Sequence, residues 1–180
     1  MSRANHGATI VLAEHDPAWT SAFSIEAASV AATLGDALLA LHHVGSTAIV
    51  GIRAKPVIDM LAVVTDVSRL DAMPNVLAGL GYEAKGEFGI PGRRYFRKDS
   101  EAGVRTHQIH AFGEGSREIQ RHVDFRDYLR AHPVDARAYE ALKLDLAVQC
   151  NGDMELYGDG KTMFIRDIER RAALWRRVTP

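Results

Sequence analysis

Apolar positions recur along the chain with two periods, and the changes between them outline the elements. Trp19, Phe23, Val30 and Leu34 fall on one helical face. Asp16-Pro17 stands before them as a cap followed by proline at the first helical position, and Gly35 is placed to stop the helix. Residues 38–44 (LLALHHV) predict a strand that delivers the chain to Gly45. Residues 57–64 (VIDMLAVV) are a short apolar run without alternation, which predicts a strand buried on both faces. A second helix is predicted over residues 67–80 through Leu70, Met73 and Leu77, with Pro74 set against its first half. Residues 82–85 predict a short strand and residues 86–92 (GEFGIPG) a glycine-rich loop. Residues 93–98 and 104–112 then predict a hairpin across 99–103. Ser116 can cap a helix that carries Ile119, Val123 and Leu129, and His132-Pro133 ends it. Another helix runs to about Cys150, and a last one from about Gly160 sets Phe164, Ile168, Ala172 and Trp175 on one stripe. Strands framed by helices in this order give an α+β class rather than alternating βαβ units.

Composition narrows the picture. A chain of 180 residues with 47% apolar content suits one domain and can fill a core; a chain of this size buries roughly 70% of its unfolded surface. The net charge of −1 and pI near 6.7 supply no global basic field for nucleic acid. Cys150 is the single cysteine, so no internal disulfide forms. No apolar run reaches the ~18 residues of a membrane span, and the first residues, MSRANHGATIV, lack a signal-peptide core. The expectation is a soluble cytoplasmic protein that engages neither membrane nor nucleic acid.

One residue breaks the apolar logic. Asp59 lies inside the predicted buried strand, where a charge is costly unless something pairs with it. It therefore calls for a metal, a set of donors, or a basic partner such as Lys55, Arg93 or Arg94.

The residues around it carry a resemblance. The run His43-x-Gly45-Ser46-Thr47-Ala48-x-x-Gly51, followed by Lys55-Pro56-x-x-Asp59, resembles the signature of the GrpB family. The similarity continues through residues 89–96 (GIPGRRYF), 125–130 (FRDYLR) and 157–164, and so covers nearly the whole chain. It implies the nucleotidyltransferase (polymerase-β-like) fold, a small mixed β-sheet packed with helices. It also implies a transferase-like protein that binds a nucleotide or another phosphate-bearing small molecule, with a divalent metal (Mg²⁺ or Mn²⁺) bridging Asp59 and phosphate. The family's domain also occurs fused to dephospho-CoA kinase. That supports a rival reading: a non-catalytic ligand-binding or folding-assistance module that kept the pocket and lost the chemistry.

The candidate site follows from these residues. Without a Cβ at Gly45 the backbone can approach an anion closely, and Ser46 and Thr47 add hydroxyls beside it. Nucleotidyl transfer ordinarily uses carboxylates two residues apart on one strand, which face the same way about 6.6–6.8 Å apart and can share two divalent ions. Here Asp59 is followed at that spacing by Leu61, so Asp59 is the single catalytic candidate. On the strand 104–112, Thr106, Gln108 and His110 share one face while His107 and Ile109 take the other. His110 beside Asp59 either completes a mixed Asp/His metal site or is hydrogen-bonded within the sheet. Gln108 stands where many GrpB relatives carry the first histidine of a His-x-His pair. Of Arg93 and Arg94, alternation admits only one to the pocket, and Arg94 is the slight preference. By resemblance, Lys143, Tyr157 and Lys161 on the C-terminal helices close the site from the other side, with Lys55 in its basic wall; for Lys143 the reading preferred is a solvated helix position. Cys150 has no adjacent histidine and is not read as a nucleophile.

Overall fold

The computed structural model describes residues 10–178, so most of the stretch read for a signal peptide lies outside the described residues. Helix α1 (Ala18–Leu34) starts where expected, with the Asp16 carboxylate accepting from the Ala18 amide at 2.8 Å. It stops at Gly35, whose φ of 50° lets its amide turn back to the Ala31 carbonyl. The chain then builds β1 (Leu38–Val44) and β2 (Ile58–Val64), on the expected boundaries within one residue. Three further strands are β3 (Tyr82–Ala84), β4 (Arg94–Asp99) and β5 (Arg105–Gly113).

The sheet order is β1-β2-β5-β4-β3. Neighbours run antiparallel except β2 and β5, which are parallel because the chain between them crosses over through helix α2 (Val67–Asp71) and two outer strands. One face carries Ile58, Met60, Ala62, Val64, Ile109 and Ala111 and closes against Trp19, Val30 and Leu34 of α1. The period of two sends Asp59 and Leu61 to the opposite face. There Val44, Leu61 and Phe112 meet Ile119 and Val123 of α3 (Arg117–Ala131). Helices α3, α4 (Pro133–Gln149) and α6 (Thr162–Val178) share a further cluster of Tyr128, Leu129, Ala136, Tyr139, Ile168 and Ala172 with Ile49 and Ile52 from the loop after β1. The α+β class with a small mixed sheet is thus what the chain adopts. Among the described residues no helix is long and apolar enough to cross a membrane.

Two expectations differ. The helix over 67–80 breaks after Asp71 into consecutive turns and a 3₁₀ segment, Ala78–Leu80, because Pro74 removes a donor and crowds the preceding turn. A helix not anticipated, α5 (Met154–Gly160), is nucleated by Asp153, whose carboxylate accepts from the Glu155 and Leu156 amides at 2.9 and 3.1 Å.

Ile168 is 1% exposed at the centre of the helical cluster. Ile168→Ala is expected to cost about 2–5 kcal/mol in urea unfolding. A loss below about 1 kcal/mol would mean that α6 adds little to the core.

Candidate functional site

The site is built on the turn between β1 and β2. Gly45 has φ 70°, and a Cβ there would lie 2.8 Å from Asp59 Cγ and 2.9 Å from Asp59 Cβ, so glycine is required both by conformation and by space. Val44 pairs directly with Asp59 in the sheet. The turn is locked from within: the Thr47 hydroxyl donates to the Val57 carbonyl at 3.1 Å and contacts His43 Nε2 at 3.0 Å. A hydroxyl that donates its one proton to Val57 accepts from His43, so Nε2 carries the imidazole proton. Burial, the largest effect, pushes the His43 pKa down to about 4, so the ring is neutral at pH 7. Helix α3 clamps the turn from outside, with Arg126 donating to the His43 carbonyl at 3.0 Å and Arg130 to the Ala48 carbonyl at 2.8 Å.

Beside this turn lies a cavity of about 170 Å³. Its walls bring together Gly45, Ser46, Thr47, Lys55, Asp59, Tyr157 and Lys161 of the expected set. Arg105, Gln108, Tyr139 and Lys143 also line it. The loop that carries Lys55 is fixed to α4, since the Arg53 amide donates to Glu140 at 2.5 Å and Lys143 Nζ donates to the Arg53 carbonyl. The Lys55 and Lys161 ammonium groups lie 5.0 and 4.3 Å from the Tyr157 ring centroid, and Lys143 lies 4.9 Å from that of Tyr139. Lys143, read from sequence as solvated, is 2% exposed: α4 packs Tyr139 and Lys143 inward one turn apart.

Crowding of like charge marks this wall. Burial pushes Lys55 and Lys143 down to about 8, and in each the next cause is the Lys161 ammonium. Lys161 is itself lowered by burial, with Asp59 opposing the shift. Arg105 Nε is buried and has no hydrogen-bond partner among the described residues. Alternation alone would put Arg105 across the sheet from Gln108, but the register shifts between Lys98 and Asp99, a bulge that breaks the alternation beside it.

Asp59 is held by a chain of donors. Gln108 Nε2 donates to Asp59 Oδ1, and the Tyr95 hydroxyl donates to Gln108 Oε1 at 2.6 Å. His110 Nε2 lies 3.8 Å from the same Oδ1. On the other side of that ring, Arg93 Nη1 is 3.2 Å from His110 Nδ1. Arginine only donates, so Nδ1 accepts and the imidazole proton sits on Nε2, facing Asp59.

The arginines are placed differently from the expectation. Arg94, the slight preference, lies on the face of Phe96 and is bound bidentately by Asp71 at 2.5 and 2.6 Å. Arg93 shares the face of Asp59, as alternation requires of one of the pair. Its guanidinium, however, is spent on the Phe88 and Glu87 carbonyls and on His110, and it fastens the glycine-rich loop. Neither lines the cavity.

The donor set does not fit the metal that the fold implies. Leu61, where a second carboxylate would stand, is fully buried against Val44 and Phe112. His110 turns an N–H rather than a lone pair toward Asp59, and His107 is on the opposite face. Among the described residues no group of three or more His, Cys, Asp or Glu is arranged to hold an ion.

A Gly-Ser turn, one strand carboxylate and a lysine-lined cavity on a mixed α+β sheet define the class of site. Residues 9–171 match the family described as GrpB protein, and the chain belongs to the GrpB family. It is similar to a crystal structure of GrpB from Enterococcus faecalis, with a TM-score of 0.84 and 37% identity over 90% of this chain and 96% of that one. UPF0157 protein YqkA of Bacillus subtilis is 40% identical over 159 residues, 88% of this chain; the chain spans 46% of YqkA's length. A dephospho-CoA kinase of Mycolicibacterium paratuberculosis is 29% identical over 193 aligned residues, 47% of that protein.

Gly45→Ala should destabilise the protein more than Gly51→Ala, which shares a positive φ (84°) but has open space around it. The expected loss at Gly45 is about 2 kcal/mol or more. Equal losses in chemical denaturation would show that the close approach to Asp59 imposes no constraint.

Proposed function

We propose that the cavity binds a small phosphate-bearing molecule, a nucleotide or another phosphate ester. The observation that carries this reading is the convergence of Lys55, Lys143, Lys161 and Arg105 on a cavity with one carboxylate. Lys143 is buried and Lys55 half-buried, and burial together with the neighbouring Lys161 charge lowers both pKa values; an anion between them relieves that costly state. Ser46 and the guanidinium of Arg105 add donors suited to phosphate oxygens. The cavity is smaller than the ~300–1,000 Å³ that encloses a whole drug-sized ligand, so it holds phosphate while the remainder of the molecule projects outward. The likeness to part of a dephospho-CoA kinase supports a ligand of this kind. Leu61 in the core favours the rival reading, ligand binding without nucleotidyl transfer through paired carboxylates.

Calorimetry with pyrophosphate and ATP tests the proposal. Lys55→Met and Lys161→Met should each weaken binding about tenfold or more, the value of one charge-assisted contact. Their melting temperatures should hold or rise, because each removes an ammonium group whose burial is costly. Unchanged affinities would place the anion elsewhere. The pH dependence has two opposed signs. Ligand affinity should fall as pH rises through about 8, where Lys55 and Lys143 lose their protons. The stability of the free protein should gain from the same lysines between about 8 and 10.5, because there the unfolded chain binds more protons.

A further inference from the structure

A site that only attracts anions has no need of a carboxylate, and Asp59 stands among the cations with 21% of its side chain exposed. Its two oxygens are not equivalent. Oδ1 accepts from Gln108 Nε2 and faces the Nε2 proton of His110, so donors already occupy the positions a cation would take. Oδ2 lies against Gly45, and among the described residues nothing donates to it. The positive charge that a metal would bring is already supplied by Lys55, Lys161 and Arg105.

We infer that Asp59 Oδ2 accepts a proton carried by the bound anion, so that the cavity takes hydrogen phosphate or a protonated phosphate ester in preference to sulfate, without a divalent ion. This rests on the phosphate reading above and adds a selectivity to it. Sulfate and phosphate have the same tetrahedral shape, but at neutral pH sulfate carries no proton while inorganic phosphate carries at least one. Against sulfate, Oδ2 meets a bare oxygen and two acceptors repel; against phosphate, a P–OH donates to it. A site with a fixed acceptor for a ligand hydroxyl discriminates strongly against an analogue that lacks the proton, because its own buried acceptor is then left unmatched. Tyr95 and Arg93 act here as positioning residues: Tyr95 orients the Gln108 amide so that its NH₂ reaches Asp59, and Arg93 fixes the His110 tautomer.

The test is calorimetry at pH 7 with inorganic phosphate and with sulfate, first with EDTA and then with Mg²⁺ or Mn²⁺ at matched free anion. The expected result is that phosphate binds in EDTA at least about tenfold more tightly than sulfate, with no gain from either metal. Asp59→Asn keeps the shape and an acceptor for Gln108 but puts an NH₂ group in place of Oδ2. In that variant sulfate should gain affinity and the preference should collapse. Phosphate binding that appears only with metal, or that is lost in a folded Asp59→Asn variant for both anions, overturns the inference and leaves the phosphate reading intact. Equal affinities for the two anions in the wild-type protein also overturn it, and this arm decides the matter even where the variant does not fold. Failure of phosphate, pyrophosphate and ATP alike under every condition overturns the phosphate reading itself.

Discussion

A carboxylate set inside a β-sheet must be matched by donors and positive charge, and the groups around Asp59 come from several separate elements of this fold. β5 supplies Gln108 and His110, and β4 supplies Tyr95, which orients Gln108. The loop into β2 supplies Lys55, and the junction of α5 and α6 supplies Lys161. The β1–β2 turn can approach because residue 45 has no side chain. Were Asp59 alone at issue, one cation would suffice. The cavity holds more, and that surplus is what the proposed anion would match.

The surplus has a structural source in the helices. α4 is tied to the Lys55 loop by Glu140 and Lys143, and α3 grips the turn carbonyls through Arg126 and Arg130. Lys143 is therefore held by a backbone contact, and the loop carrying Lys55 is anchored to α4. Preorganisation of this kind lowers the ordering cost when a ligand arrives. It also gives Leu61 a meaning: the position that carries a second carboxylate in a two-ion site is here part of the apolar contact between the sheet and α3.

Much of this was legible in the chain. The β1 and β2 segments, the cap at Asp16 and the need of Asp59 for partners follow from local pattern, because each depends on the residues within one element. The opposed faces of Gln108 and His107 likewise follow from a period of two. What escaped depends on contacts between distant segments. Lys143 reads as a solvated helix position until the Arg53 carbonyl is brought to it from 90 residues away. Arg105 sits beside a bulge, which defeats alternation. Arg94 is matched by Asp71 at the end of α2, 23 residues away in sequence. Helix α5 was written in Asp153, an N-cap signal in a segment too short for its apolar period to show.

Lys55 and Lys143, one half-buried and the other buried, are crowded ammonium groups that a bound anion would relieve. NMR titration of the lysine side chains, with and without pyrophosphate, measures this directly. The expected result is a pKa near 8 for Lys55 and for Lys143 in the free protein, well below 10.5, and a rise of both when pyrophosphate binds. Values near 10.5 that do not move with pyrophosphate would contradict it.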